Sequence, residues 1–156
     1  MSALCQVACK LNEKCALRIG SDGRADSYAG YSVEMTRLEG ALAAAFQSFD
    51  GKHLHQSPYD VAAVLLLGIS NNHPFQDGNK RTALQLAVTY LKLHSIELNP
   101  SSDNDAVDLV LGSINSPLRW EDLIRHVSDK FREWTQPDRV ALNHRSKTSS
   151  PFRQAD

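Results

Sequence analysis

The chain has 156 residues, of which 42% are apolar, and its 17 Lys and Arg residues nearly balance its 18 Asp and Glu residues. This length suffices for one domain with a hydrophobic core. The net charge of −1 provides no broad field that would attract nucleic acid or an anionic membrane, so we expect neither as a partner. No apolar run approaches the about 20 residues that a membrane-spanning helix needs, and no signal peptide is recognisable, so we expect a cytoplasmic protein.

Residues 1–32 form the first predicted segment. Residues 3–17 have weak helical periodicity, and a stretch rich in Gly, Ser and Asp then indicates a loop to about residue 32. The three cysteines are Cys5, Cys9 and Cys15. An odd count without a nearby fourth ligand argues against a disulfide framework and against a zinc site, so burial as small apolar residues is favoured.

Residues 33–135 are predicted to form five further helices. Residues 33–48 carry an apolar side, and Phe49–Gln56 interrupts the pattern. Ser57 and Pro58 suit an N-cap and a first helical residue, and Val61–Ile69 is apolar almost all round, which predicts a central helix. A helix that begins at Asn79 should also be central, because it carries Leu84, Leu86, Ala87, Val88, Leu91 and Leu93.

Two more helices and a polar tail are predicted for the rest of the chain. Residues 103–114 form a helix, and a last helix carries a core stripe made of Trp120, Leu123, Ile124, Val127, Phe131 and Trp134. Residues 136–156 are polar and are expected to be a disordered tail.

The segment from His73 to Ala83 combines the groups that phosphate chemistry requires. His73 could accept a proton from an attacking hydroxyl, and Asp77 is a hard oxygen ligand suited to Mg²⁺. Gly78 allows the backbone to bend, and a helix then opens whose free N–H groups attract anions. Lys80 and Arg81 add positive charge.

Each of these residues also has a simpler structural interpretation. His73 could cap the preceding helix, Asp77 could form a turn before Gly78, and Lys80 and Arg81 could be solvated surface charges. Cations at a helix start oppose the helix dipole, however, and this conflict favours a bound anion.

The segment His73-Pro74-Phe75-Gln76-Asp77-Gly78-Asn79-Lys80-Arg81 resembles the Fic/Doc family motif H-x-F-x-[D/E/N]-G-N-x-R. Lys80 and Leu84 are similar to the Doc toxin branch, whereas the Fic branch has Gly and a second Arg at these positions. The resemblance implies an all-α, single-domain helical bundle of about six helices with a short β-hairpin flap. It is strongest from about Leu38 to Leu93, and residues 1–32 look divergent.

The resemblance also implies the roles of the site residues. His73 would be the catalytic base, Phe75 would anchor the motif, and Asp77 would hold Mg²⁺. The phosphates of ATP, the co-substrate, would be bound by Gly78, Asn79, Lys80 and Arg81. The flap, made of Phe49, Asp50, Gly51, Lys52 and His53, would hold a segment of the target protein by backbone pairing.

The expected activity is that of a Doc-like toxin of a toxin-antitoxin system, which transfers the γ-phosphate of ATP to a Ser or Thr hydroxyl of a protein and inhibits translation. Elongation factor Tu is the type of target that the family implies. Two alternatives stay open: a Fic-type nucleotidyltransferase that attaches AMP, and a non-catalytic helical binding module.

Inhibition is expected to come from a separate antitoxin protein. The family's self-inhibitory helix ends in S/T-x-x-x-E-G/N, and here the segment from Met35 to Gly40 has Met35 at the Ser or Thr position. Glu39 is therefore interpreted as a helix-surface or flap-support residue. His53 and His55 alternate as strand ligands would, but without a third ligand nearby a metal site there is not favoured.

Overall fold

The computed structural model describes residues 2–15 and 32–135. The predicted loop after residue 15 and the predicted disordered tail at 136–156 lie outside the described residues. The elements in chain order are α1 (Ala3–Cys15), α2 (Met35–Ala44), β1 (Ser48–Phe49), β2 (Lys52–His53), α3 (Pro58–Asn72), α4 (Asn79–Leu93), α5 (Asp103–Ile114) and α6 (Trp120–Thr135). This architecture confirms the predicted all-α bundle of about six helices with a short β-hairpin.

Helix α3 is the centre of the bundle. It packs against α2, α4, α5 and α6, and all ten residues from Val61 to Ser70 are buried. The helix begins as predicted, because the side chain of Ser57 accepts a hydrogen bond from the N–H of Asp60 and Pro58 is the first helical residue. Helix α4 lies beside α3 and also contacts α1 and α5, so the two helices that flank the motif have rigid surroundings.

Helix α2 is shorter than the predicted helix over 33–48. At its start, Val33 forms an isolated antiparallel bridge with Phe75, and the N–H of Glu34 donates to the Pro74 carbonyl at 2.8 Å. At its end the chain turns into the β-hairpin at Ser48. Pairing with the motif loop and with β2 thus takes up backbone groups that a longer helix would have used.

Two apolar residues predicted to lie in the core are exposed. Trp120 is 40% exposed and Leu93 is 78% exposed. Trp120 is the first residue of α6 and Leu93 is the last residue of α4, so the apolar periodicity continues beyond the packed part of each helix. The other five members of the α6 stripe are buried as predicted.

The cysteines are free thiols with different degrees of burial. Cys5 is buried, whereas Cys9 and Cys15 are half-buried. Burial raises the pKa of the Cys9 thiol, and neighbouring Cys5 and Glu13 raise it further, so its reactive thiolate form is disfavoured. Among the helices that the structure describes, none is both long and apolar enough to cross a membrane.

Candidate active site

The motif begins at His73, which ends helix α3. His73 adopts the left-handed conformation, with φ 47° and ψ 56°, and its N–H donates to the Ile69 carbonyl at 3.2 Å. Histidine is one of the few residues with a side chain that visits this region readily. His73 therefore caps α3, which agrees with the structural interpretation of this residue. Its side chain is exposed and also lines the cavity described below.

Gly78 begins helix α4 and is also left-handed, with φ 77° and ψ 10°. This conformation favours glycine because a Cβ would be strained there. An N-cap Ser or Asp would accept hydrogen bonds from the first-turn N–H groups, and Gly78 has no side chain to do so. The start of α4 thus keeps the character of an anion site.

The loop between the two helices is braced by Asn79. The N–H of Phe75 donates to Asn79 Oδ1 at 2.9 Å, and Asn79 Nδ2 donates to the Phe75 carbonyl at 2.6 Å. The Phe75 side chain is 3% exposed and belongs to the core. Because the Asn79 side chain is bound to the loop backbone, the backbone N–H is the Asn79 group that would serve the predicted phosphate binding.

Two other segments also hold the loop. The Pro74 carbonyl accepts from Glu34 N–H, just before α2, and the Asp77 carbonyl accepts from Asn12 Nδ2 of α1 at 2.8 Å. The loop is therefore tied to three places in the chain. Such support on several sides is what a precisely placed catalytic loop needs.

The charged residues of the motif lie at the mouth of the site. Arg81 Nη2 and Asp77 Oδ2 are 3.7 Å apart, and the two side chains are 57% and 31% exposed. An ion pair this long and open contributes little stability. Asp77 nevertheless offsets part of the unfavourable charge at the start of α4, which weakens the inference of an anion from Arg81 alone. Lys80 is exposed and lines the same cavity.

A cavity of about 430 Å³ brings most of the predicted site together. One wall consists of the motif, namely His73, Gln76, Asp77, Gly78, Asn79, Lys80 and Arg81. The apolar part of the lining consists of Leu84 from α4 and of Val107, Val110 and Leu111 from α5. Apolar side chains combined with a small number of placed polar groups are the usual lining of a small-molecule site.

The apolar wall of α5 was not predicted. Val107 and Leu111 are 50% and 42% exposed, although both belong to a helix that also has buried Leu109 and Val110. The sequence did contain a signal for this wall. Apolar residues cover more of α5 than one core-facing side requires, which indicates a second apolar surface on this helix. Asn12 was missed as well, although it follows Cys5 and Ala8 on the buried side of α1.

The residues predicted to form the flap make up a β-hairpin. Ser48 pairs with His53 and Phe49 with Lys52, and Asp50 and Gly51 both have positive φ at the tip. Phe49 is 76% exposed. None of the described residues that line the cavity belongs to the hairpin, so the structure does not bring the flap and the motif into one wall.

The site suits Mg²⁺ only together with phosphates. Within residues 2–15 and 32–135, no three or more His, Cys, Asp and Glu side chains form a group that could hold a metal ion. Mg²⁺ usually binds through one or two carboxylates, with phosphate oxygens and waters as its other ligands. The part-exposed Asp77 carboxylate beside an uncapped helix start fits this requirement.

Comparison with known proteins places the chain in a family. The model of the Fic/DOC family matches residues 5–91, which include most of α1 and extend to the end region of α4. The chain is 31% identical over 77 residues to a protein named Toxin Doc from Mycolicibacterium smegmatis (strain ATCC 700084 / mc(2)155). The matched part covers 49% of this chain and 59% of that relative. No solved structure matches the chain at a comparable level. Because the family match extends over more than half of its residues, the chain belongs to the Fic/DOC family.

Proposed function

We propose that this protein is a Doc-like toxin that transfers the γ-phosphate of ATP to a Ser or Thr hydroxyl of a target protein. The observation that carries the proposal is the cavity in which His73, Asp77 and the start of α4 meet. A base, a metal-ligating carboxylate and an anion site in one wall provide what phosphoryl transfer requires, because that reaction depends mainly on positioning and on stabilising negative charge.

His73 acts as the base in this mechanism. Its side chain is exposed to the cavity, where it accepts the proton of the target hydroxyl as that oxygen forms a bond to the γ-phosphorus. The bond from the γ-phosphorus to the bridging oxygen breaks, and ADP leaves. The amides at the start of α4, with Lys80 and Arg81, stabilise the charge on the phosphates. Asp77 would hold Mg²⁺, which supplies further positive charge when bound.

Lys80 and Leu84 favour the kinase over the nucleotidyltransferase. Both line the cavity, and both occupy positions where the Fic branch has other residues. The Lys80 stem takes up space that Gly would leave for the inner phosphates, and its ammonium attracts a phosphate elsewhere. The terminal phosphate of ATP is then the one presented to the target.

The β-hairpin serves the protein target in this proposal. The sheet has two strands, so each presents an edge that meets no further strand in the described part of the chain. An extended target segment could add to that edge by backbone hydrogen bonds, with the exposed Phe49 as an apolar contact. Elongation factor Tu is the first target to test, and a separate antitoxin protein is the proposed inhibitor.

Radiolabelled ATP tests the reaction. Purified protein is incubated with Mg²⁺ and elongation factor Tu, or with a bacterial lysate, using ATP labelled at either the γ- or the α-phosphorus. We expect label from the γ-position only, together with a mass increase of one phosphate on the target. Lys80→Gly should reduce this transfer. The control is Lys130→Gly, which replaces a lysine of α6 and should not change the transfer apart from any loss of folded protein.

The other outcomes identify the alternatives. Label from the α-position with the wild-type protein would establish nucleotidyl transfer and overturn the kinase. Absence of both labels, with no binding of ATP and Mg²⁺ by calorimetry, would favour the non-catalytic binding module.

A further inference from the structure

Asn12 connects the first helix to the motif loop. It lies in α1, 65 residues before Asp77 in the chain, and is only 1% exposed. Its Nδ2 donates to the Asp77 carbonyl at 2.8 Å and to Thr82 Oγ1 at 3.1 Å. One buried amide group thus touches both the loop and the first turns of α4.

The orientation of this amide follows from its partners. A backbone carbonyl can only accept a hydrogen bond, so the nitrogen of the Asn12 side chain, and not the oxygen, must face Asp77. The other end of the amide, Oδ1, is buried without a hydrogen-bond partner among the described residues. A buried unpaired acceptor is unfavourable for folding.

The unpaired Oδ1 makes Asn12 unfavourable for packing alone, which indicates that its hydrogen bonds serve a specific purpose. Cys5 and Ala8 occupy the same buried side of α1, and an apolar side chain at position 12 would continue their packing without an unpaired oxygen. What an apolar side chain would lack is the N–H that fixes the Asp77 carbonyl.

We propose that Asn12 is a positioning residue that holds the backbone of Asp77, and with it the Asp77 carboxylate and the start of α4, in the geometry that binds Mg²⁺ and ATP. This inference deepens the proposed function and rests on it. The peptide unit after the Asp77 carbonyl contains the N–H of Gly78. Fixing that carbonyl therefore fixes a unit shared by the metal-binding and phosphate-binding residues.

The two hydrogen bonds of Asn12 allow a matched comparison. Asn12→Leu removes both bonds and keeps the number and branching of the side-chain heavy atoms, whereas Thr82→Val removes only the bond to α4. Cys5→Ala loosens the packing of α1 without touching either bond, and Asn12→Ser provides a smaller second variant if Asn12→Leu fails to fold.

Two measurements on the full chain distinguish positioning from general stability. Hydrogen exchange of the backbone amides of residues 76–81 reports the order of the loop without any nucleotide. Calorimetry with ATP and Mg²⁺ reports the site. We expect Asn12→Leu to speed exchange in the loop and to weaken ATP binding by about 10–100-fold, the usual range for residues that support a metal ligand. Thr82→Val and Cys5→Ala should lower Tm while loop exchange and affinity stay at wild-type values.

The outcomes separate this inference from the proposed function. Wild-type loop exchange in folded Asn12→Leu or Asn12→Ser would overturn the positioning role. Equal loosening of the loop in Cys5→Ala would overturn it too, because any weakening of α1 would then suffice. If the wild-type protein bound no ATP, the proposed function would fail, and the exchange measurement would still decide whether Asn12 orders the loop.

Discussion

Asn79 and Phe75 form a reciprocal pair of hydrogen bonds, in which the Asn79 side chain meets both the N–H and the carbonyl of Phe75. Asn79 is the first residue of α4, and Phe75 is the residue whose ring is buried beneath the loop. The pair therefore joins the start of the helix to the core through the loop backbone. Asn79, itself a motif residue, thus holds the turn between α3 and α4 in place through its side chain.

This relationship predicts a loss of stability in Asn79→Ala. The N–H and carbonyl of Phe75 would be left buried without these partners, which costs about 1–3 kcal/mol for each unsatisfied group. Urea denaturation measures the change in the free energy of unfolding. Asn115→Ala is the control, because its Nδ2 donates to the Leu111 carbonyl at an exposed position and its loss should cost about 0.5 kcal/mol or less. Equal effects in the two variants would contradict the bracing role.

His73→Asn should abolish most phosphate transfer while the fold remains intact. Asn tolerates the left-handed backbone that His73 adopts, so the end of α3 is preserved, and the variant lacks a base. Loss of a general base typically reduces the rate by about 10²- to 10⁴-fold. The initial rate of γ-phosphate transfer is the readout, with His126→Asn, at an exposed position of α6, as the control. A folded His73→Asn protein with wild-type rate would remove His73 from the mechanism.

Asp77→Asn should relieve the growth inhibition that the proposed function predicts when the protein is expressed alone. The carboxylate would no longer attract Mg²⁺, so the affinity for ATP with Mg²⁺ should fall at least as much as the about 10–100-fold typical when a residue that supports a metal ligand is lost. Bacterial growth and calorimetry measure the two effects.

Asp129→Asn is the matched control for Asp77→Asn. Asp129 also forms an exposed ion pair, with Arg132 at 3.0 Å, but it lies in α6 away from the cavity lining. Its loss should change neither growth inhibition nor nucleotide affinity. Undiminished toxicity and affinity in Asp77→Asn would mean that the metal role is wrong.

Phe49→Ser should weaken binding of the protein target and leave the affinity for ATP unchanged. Phe49 is 76% exposed, so its replacement should change the free energy of unfolding by about 0.5 kcal/mol or less. If the flap binds the target, loss of this aromatic contact should cost about 1 kcal/mol or more of binding free energy and raise KM for the target. Leu93→Ser, a similarly exposed residue at 78%, is the control and should leave KM unchanged. An unchanged KM in Phe49→Ser would exclude Phe49 from target docking.

Asp60 should make the fold sensitive to acid. Partial burial raises the pKa of Asp60, but hydrogen bonds from Ser128, Ser57 and Arg132 and the Arg132 charge outweigh it, so the pKa lies below its ordinary value of 3.8. A lowered pKa in the folded state means that ionised Asp60 stabilises the fold above pH 3.8. This contribution is lost as pH falls from there through the folded pKa.

The acid sensitivity can be measured by thermal unfolding at a series of pH values. Asp60→Asn should be less stable than wild type near neutral pH, and the difference should shrink as pH falls below 3.8. Ser128→Ala, which removes one donor to Asp60, should give a smaller change of the same sign. A difference between wild type and Asp60→Asn that stays constant with pH would contradict the linkage.

The sequence by itself determined the helices whose patterns are strong and local. The apolar run of α3 and the apolar stripe of α6 predicted which residues are buried, and Ser57 predicted where α3 begins. Sequence suffices for these features because periodicity and capping depend on residues within a few positions of each other. The motif likewise located the turn between α3 and α4 and those residues of the cavity lining that belong to this turn.

Only the tertiary structure decided what meets that turn. The bond from Asn12 to Asp77 spans 65 residues, and α5 contributes three of the apolar residues that line the cavity, namely Val107, Val110 and Leu111. The start of α2 at Met35, later than the predicted residue 33, depends on pairing with Pro74 and Phe75. The exposure of Trp120 depends on where the packed surface of α6 begins. These features depend on which distant segments lie side by side. No local periodicity encodes that information, because contacts between distant segments are chosen by the packing of the whole core.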